Sequence, residues 1–348
     1  MSLKTKFCKK PFTWLELGRH EQGAVHCHSC CPSWLPEIVG DLNRETIDEI
    51  WNGEVYRRIR RSILDGSFRY CNHDLCPLIS DNRLPERSDV KDPYLEDIIK
   101  NKREVLSKGP LEINMANDLS CNLSCPSCRT KEIMLSHGSE YEAMVNMHEQ
   151  LLENVLKDLE LLILCSGGDP LASKYYRQLL TTLKGSQYPQ LKIQLVTNGT
   201  LLNEEMWQQM SGIHNNIGLI CVSVDAAKES TYRVVRRGGD FNKLKKNLDF
   251  LGELRKKKAF DLLQLDFVVQ NRNYNEMVDF ANWGLTIGAD IINFQRIVNW
   301  GTFSDEGFLE QAVYLKGHKN NQHFVRTLND PIFDKDEVML GNLYEFKK

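Results

Sequence analysis

Three cysteines lie within eight residues at Cys121-Asn-Leu-Ser-Cys125-Pro-Ser-Cys128. One short loop can therefore wrap three thiolates around one metal centre. A cubane iron–sulfur cluster has four irons, so three thiolates leave one iron without a protein ligand. An open coordination position marks catalytic rather than structural metal sites. Zinc held by the same thiolates with a fourth ligand such as His137, and unligated thiols, are the alternative readings.

A second group precedes this loop, at Cys8, Cys27, Cys30, Cys31, Cys71 and Cys76, while Cys165 and Cys221 stand alone. The total of eleven is odd, which argues against a disulfide framework. Met1 to Lys10 has no hydrophobic segment or cleavage site of a secretory signal, and no apolar run reaches bilayer length. The expected location is the cytosol, where clustered cysteines ligate metal. A net charge of −3 gives no overall pull toward nucleic acid or an anionic membrane. The basic stretch Lys243 to Lys258, interleaved with leucines, reads as the solvated face of an amphipathic helix.

Elements must bring these residues together. Phe12–Leu17 and Ala24–His28 read as short strands around a Gly-containing turn, and Thr46–Leu64 as a helix apolar on one side. Asp81 to Pro110, with three prolines among charges, reads as a connecting arm. From Leu111 the pattern alternates. Strands are expected at 111–116, 161–165, 191–196, 217–224, 262–269 and 291–298, with helices at 140–159, 174–183, 204–210 and 274–285 between them. Six consecutive βα units imply a parallel sheet with right-handed crossovers, too short for a closed eight-stranded barrel. Ligands in such folds gather at the carboxyl ends of the strands, where the 121–128 loop falls.

On these residues the chain resembles the radical S-adenosylmethionine superfamily, whose core is a partial (βα)6 barrel. The resemblance runs from Leu111 to about Phe303. It implies that Cys121, Cys125 and Cys128 hold a [4Fe–4S] cluster whose open iron takes S-adenosylmethionine. Reductive cleavage then gives a 5′-deoxyadenosyl radical that abstracts hydrogen from a substrate. Ser166-Gly167-Gly168-Asp169-Pro170 is similar to the family's Gly-Gly-Glu motif, whose backbone binds the cofactor amine. Asn198 in Thr197-Asn198-Gly199, Ser223 and Asp225 after the fourth strand, Arg236 or its neighbour Arg237, and Gln270 match further cofactor-binding positions. Gln295 is expected to face the same pocket, with Asn299 and Trp300 beside it. The family usually has an aromatic residue just before the third cysteine; this chain has Ser127. Cys165 and Cys221 read as packing, and His318 and His323 as surface residues.

The first 80 residues resemble a SPASM/twitch domain, a small cysteine-rich α+β unit that carries auxiliary iron–sulfur clusters. Cys8, Cys27, Cys71 and Cys76 are the preferred ligands of one auxiliary [4Fe–4S] cluster, with Cys30 and Cys31 as alternates. A structural zinc, with His28 or His73 among its ligands, is the competing reading. The expected organisation is therefore residues 1–80 for this domain, 81–110 for the arm, 111–303 for the partial barrel and 304–348 for a C-terminal extension. Such an enzyme needs a reducing partner such as flavodoxin or ferredoxin. Its substrate reads as a peptide or protein side chain, or else as a small molecule such as a sugar or aminocyclitol undergoing dehydrogenation or epimerisation. A non-catalytic iron–sulfur or zinc protein is the reading of another class. No catalytic residue is assigned.

Overall fold

A computed structural model describes residues 3–19, 25–164 and 167–347. The chain divides into two compact units. The first comprises Met1–Asp118, Ser136–Gly167 and Gln190–Lys192, the second Leu119–Leu135, Gly168–Pro189 and Ile193–Lys348.

In the first unit, β1 (Trp14–Arg19) and β2 (Val25–His28) pair antiparallel, and β3 (Gly40–Asp41) adds to β2. The expected turn around Gly23 lies outside the described residues. Pro11, fixed at a helical φ, opens a short turn Lys10–Thr13, so the strand begins two residues later than the sequence implies. β4 (Glu112–Met115) pairs parallel to β1 on one side and to β5 (Leu161–Leu164) on the other. The cysteine-rich segment is thus hydrogen-bonded into the same sheet as the first βα strands.

The helix expected over 46–64 is two helices, Ile47–Trp51 and Glu54–Leu64. Thr46 and Glu49 form a capping box on the first, and Gly53 begins the second. The arm contains a helix, Pro93–Asn101, capped by Asp92, whose carboxylate accepts from the Leu95 N–H at 2.9 Å. Arg60 fixes this region. Its guanidinium is fully buried over the Trp51 and Tyr56 rings and donates to Pro11 O, Glu104 O and Asn52 Oδ1 at 2.8, 2.9 and 3.1 Å. Burial lowers its pKa to about 10.

The second unit contains β6 (Lys192–Thr197), β7 (Ile217–Ser223), β8 (Leu262–Val269), β9 (Ile291–Arg296) and β10 (Val338–Met339), in that order and parallel. All six expected βα strands are therefore present as β4 to β9, and the C-terminal extension adds β10. On β8, Leu263, Leu265, Phe267 and Val269 are buried against helices, and Phe267, Phe280 and Phe294 meet with ring centroids 4.8–5.8 Å apart. The helix Phe241–Lys256 buries Leu244, Leu248 and Leu251 and leaves its lysines outward, as its periodicity implies.

Candidate active site

The cysteine loop is fastened from several sides. The Cys121 N–H donates to Ile133 O at 2.7 Å, and the Leu135 N–H to Ser120 Oγ at 2.9 Å. Arg237 staples the middle: its carbonyl accepts from the Ser124 N–H at 2.9 Å, and its guanidinium donates to Ser124 Oγ and Thr130 O at 3.1 and 3.2 Å. Its neighbour Arg236 points to the sulfurs instead.

Each of the three thiols receives a side-chain N–H. Asn198 Nδ2 donates to Cys121 Sγ at 3.8 Å, Arg236 Nη1 to Cys125 Sγ at 3.8 Å, and Arg129 Nη2 to Cys128 Sγ at 3.6 Å. Such donors stabilise thiolate charge and would tune a metal centre held by these thiolates. Burial raises the metal-free thiols, Cys121 to about 11, so metal binding there releases protons. Cys128 is exposed.

Arg236 also pairs with Asp225 at 2.8 Å, both side chains being nearly inaccessible. Its Nε is buried with no hydrogen-bond partner among the described residues, an unmet donor that a ligand acceptor would satisfy. Asp225 stands in left-handed backbone at φ 61°, and its Oδ1 accepts from the Val268 N–H at 2.7 Å. A non-glycine residue in that region marks a position the surroundings over-determine. Asn273 completes the hold, donating from Nδ2 to Asp225 O and Val268 O at 2.9 Å each and accepting the Gln270 N–H at 2.8 Å. Ser223 is half-buried at the end of β7, and Gln270 is buried.

Asp169 is turned inward. Its Oδ1 accepts from the Leu171 and Ala172 N–H groups at 2.9 and 3.2 Å, and its Oδ2 from Thr197 Oγ1 and the Asn198 N–H at 2.8 and 2.7 Å. The carboxylate thus ties its loop to the end of β6. Gly167 and Gly168 are half-buried; Ser166 and Cys165 lie outside the described residues. Gly199 has φ 75°, and a Cβ there would come within 2.7 Å of Val222 Cγ1, so glycine is required. Asn247 holds the same turn by donating to Gly199 O and Thr200 O at 2.8 and 3.1 Å.

Four thiols of the first unit line a cavity: Cys8, Cys30, Cys71 and Cys76, walled by Pro11, Trp34, Ile63, Phe68 and other apolar groups, with Lys10 beside them. Cys27, preferred on sequence, does not line it, and neither does the alternate Cys31. Cys27 lies on β2 opposite Gly40, where Asp41 and Glu45, rather than the other thiols, are its charged neighbours. Cys30, by contrast, interacts with both Cys8 and Cys76. His28 and His73 are also absent from the lining, His73 Nε2 being 3.1 Å from Phe68 O. Burial holds the Cys8 thiol at about 11 and the Cys71 thiol at about 12. A soft-metal cluster suits this donor set, since apolar walls around thiolates exclude competing water.

Several functional residues escaped the sequence reading. Asn247 did leave a signal, a polar residue in the apolar stripe of Leu244, Leu248 and Leu251. Arg129 and Asn122 adjoin Cys128 and Cys121, and Asn122 Oδ1 accepts from Asn198 at 2.9 Å. Asn273 left none. Trp300 is 71% exposed, and Asn299 forms a turn with Gly301 and Phe303. His318 Nε2 lies 3.0 Å from Glu310 O, and His323 Nδ1 3.1 Å from Tyr274 Oη.

Residues 119–284 match the radical SAM superfamily, and residues 20–77 match an iron–sulfur cluster-binding domain, SPASM. GTP 3′,8-cyclase of Clostridium botulinum (strain Langeland) is 25% identical over 235 residues, covering 66% of this chain and 67% of that protein. 7-Carboxy-7-deazaguanine synthase of Aquifex aeolicus (strain VF5) is 27% identical over 164 residues, 46% of this chain and 69% of the relative. Among solved structures, Streptococcus suis SuiB bound to precursor peptide SuiA gives a TM-score of 0.45 at 14% identity, covering 84% of this chain and 64% of that one. Among the described residues, no helix is long and apolar enough to cross a membrane.

Proposed function

For a chain that belongs to the radical SAM superfamily, carries a SPASM domain and uses [4Fe–4S] clusters and S-adenosylmethionine, we propose hydrogen abstraction from a peptide or protein side chain. Cys121, Cys125 and Cys128 hold the cluster that binds the cofactor, and Cys8, Cys30, Cys71 and Cys76 hold the auxiliary one. When bound, the first cluster would supply one-electron reduction of S-adenosylmethionine, the chemistry that starts the radical reaction. The observation that supports the cluster assignment is the set of three N–H donors, from Asn198, Arg236 and the loop's own Arg129, aimed at the three loop sulfurs.

The protein's own residues do the positioning. Arg237 and Ser124 fix the loop. Arg236 offers its unmet Nε to a ligand acceptor such as a carboxylate. Asp225 offers an acceptor beside it, and Gly167 and Gly168 let backbone approach the cofactor amine. A reducing partner of the flavodoxin or ferredoxin type delivers electrons.

The peptide reading is supported by the pairing of this barrel with a SPASM domain. A second reading, a small-molecule substrate, is favoured by the two sequence relatives, whose names specify GTP and a deazaguanine. Anaerobic protein with dithionite should form 5′-deoxyadenosine, and alanine at Cys121, Cys125 and Cys128 should abolish it; persistent formation refutes the cluster assignment. Reconstitution should give about eight irons, whereas about four refute the auxiliary cluster. Genes adjoining this one decide the substrate: a short precursor peptide supports the first reading, small-molecule enzymes the second.

A further inference from the structure

Parallel strands covered on both faces are apolar on both. The face of β7 to β9 opposite the helices departs from that rule. It carries Cys221 and Ser223 on β7, Gln264 and Asp266 on β8, and Asn293 and Gln295 on β9. Register places them side by side: Cys221 faces Gln264, Ser223 faces Asp266, and Asp266 faces Asn293. Packing does not require polar groups in the middle of a sheet; a polar ligand does.

At the centre is one carboxylate. Asp266 Oδ1 accepts from Gln264 Nε2 and Asn293 Nδ2 at 2.7 and 3.0 Å, and its Oδ2 accepts from the Cys221 thiol at 3.1 Å. These three groups are neutral and hold the carboxylate in place without cancelling its charge. Among the described residues no Lys, Arg or His lies within ion-pairing distance of it. The backbone of the same residue bonds the cofactor end of the site, since Asp266 O accepts from the Val224 N–H at 3.0 Å. A half-buried carboxylate without a cation is unfavourable until one arrives. With two amides already donating to Oδ1, what the cluster still presents is acceptor oxygen.

Resting on the proposed radical chemistry, we propose that Asp266 is the substrate anchor of this enzyme and that the substrate carries a protonated amine there. An amino sugar or aminocyclitol and a lysine-type side chain present the same ammonium.

The test is calorimetric binding to the reconstituted protein with S-adenosylmethionine present. Two matched pairs serve as probes: glucosamine against glucose, and the tripeptide Ala-Lys-Ala against its norleucine counterpart. At least one amine should bind tenfold or more tighter than its neutral partner, and the pair that shows it names the source. In D266N the preference should collapse to near one, and in D266E it should return in part. The wild-type comparison stands even where D266N fails to assemble. No amine preference in either pair, or a preference kept by D266N, overturns the proposal. Absence of 5′-deoxyadenosine formation by the wild type counts instead against the radical chemistry, because amine preference is read without turnover.

Discussion

Asp169 offers a sharp test of how the glycine loop is held. Its carboxylate is wholly buried and accepts four hydrogen bonds, two on each oxygen. In D169N the amide nitrogen cannot face Leu171 and Ala172, whose N–H groups are both donors. It must face Thr197, whose hydroxyl can turn to accept, and then the Asn198 N–H is left unmet. One lost charge-assisted bond with one buried orphan costs about 1.5–3 kcal/mol. With a urea slope of about 2–3 kcal/mol/M, the unfolding midpoint should fall by about 0.5–1.5 M. D169A strips the partner from three backbone donors and should cost more, about 3 kcal/mol at least. Because Asn198 also donates to Cys121, both variants should weaken S-adenosylmethionine binding as well. Anaerobic urea unfolding followed by circular dichroism measures the first effect, and calorimetry the second. A D169N midpoint equal to wild type, with D169A no worse, would refute this account of the loop.

Three further outcomes follow from particular contacts. C30A should lose the auxiliary iron, about four per chain, while C27A should keep it; iron analysis with the reverse result would restore Cys27 as the ligand. R129Q removes a cationic donor from Cys128, so the first cluster should become harder to reduce; a potential about 60 mV lower leaves tenfold less reduced cluster at fixed poise, and an unchanged potential in an EPR-monitored titration contradicts the role. His148 is buried on the helix Ser139–Val155, its Nε2 3.0 Å from Asn117 Oδ1, and burial pushes its pKa down to about 3. The unfolded chain binds that proton near pH 6.5, so the stability is present above this pH and is lost as pH falls toward 3, about 2 kcal/mol by pH 5. In H148Q the pH 7.5-to-5 loss measured by urea unfolding should shrink by that amount; an identical loss removes His148 from the account.

What was legible in the sequence was what periodicity encodes. Apolar runs such as Leu262–Val269, bounded by turn residues, marked the six strands, and the three-cysteine spacing marked the loop. The split at Asn52-Gly53 and the Asp92-Pro93 helix start were written in local signals that a longer apolar stripe and a proline count overrode. β3 and β10 are two residues each, too short for any period. That Cys30 rather than Cys27 lines the thiol cavity was beyond spacing altogether. Cys27 sits in β2, where strand pairing with Leu17 and Gly40 fixes its direction, whereas Cys30 follows the strand end and is free to turn inward. Two of the three sulfur donors come from positions far apart in sequence, 77 residues for Asn198 and 111 for Arg236, so only folding brings them together, whereas Arg129 directly follows Cys128.

The proposed chemistry needs three thiolates that leave one iron open to S-adenosylmethionine. Electron paramagnetic resonance of reduced, oxygen-free protein measures this directly. Adding S-adenosylmethionine should alter the cluster signal of wild-type protein and of C30A. A signal the cofactor leaves unchanged, or one altered equally in the variant lacking Cys121, Cys125 and Cys128, contradicts it.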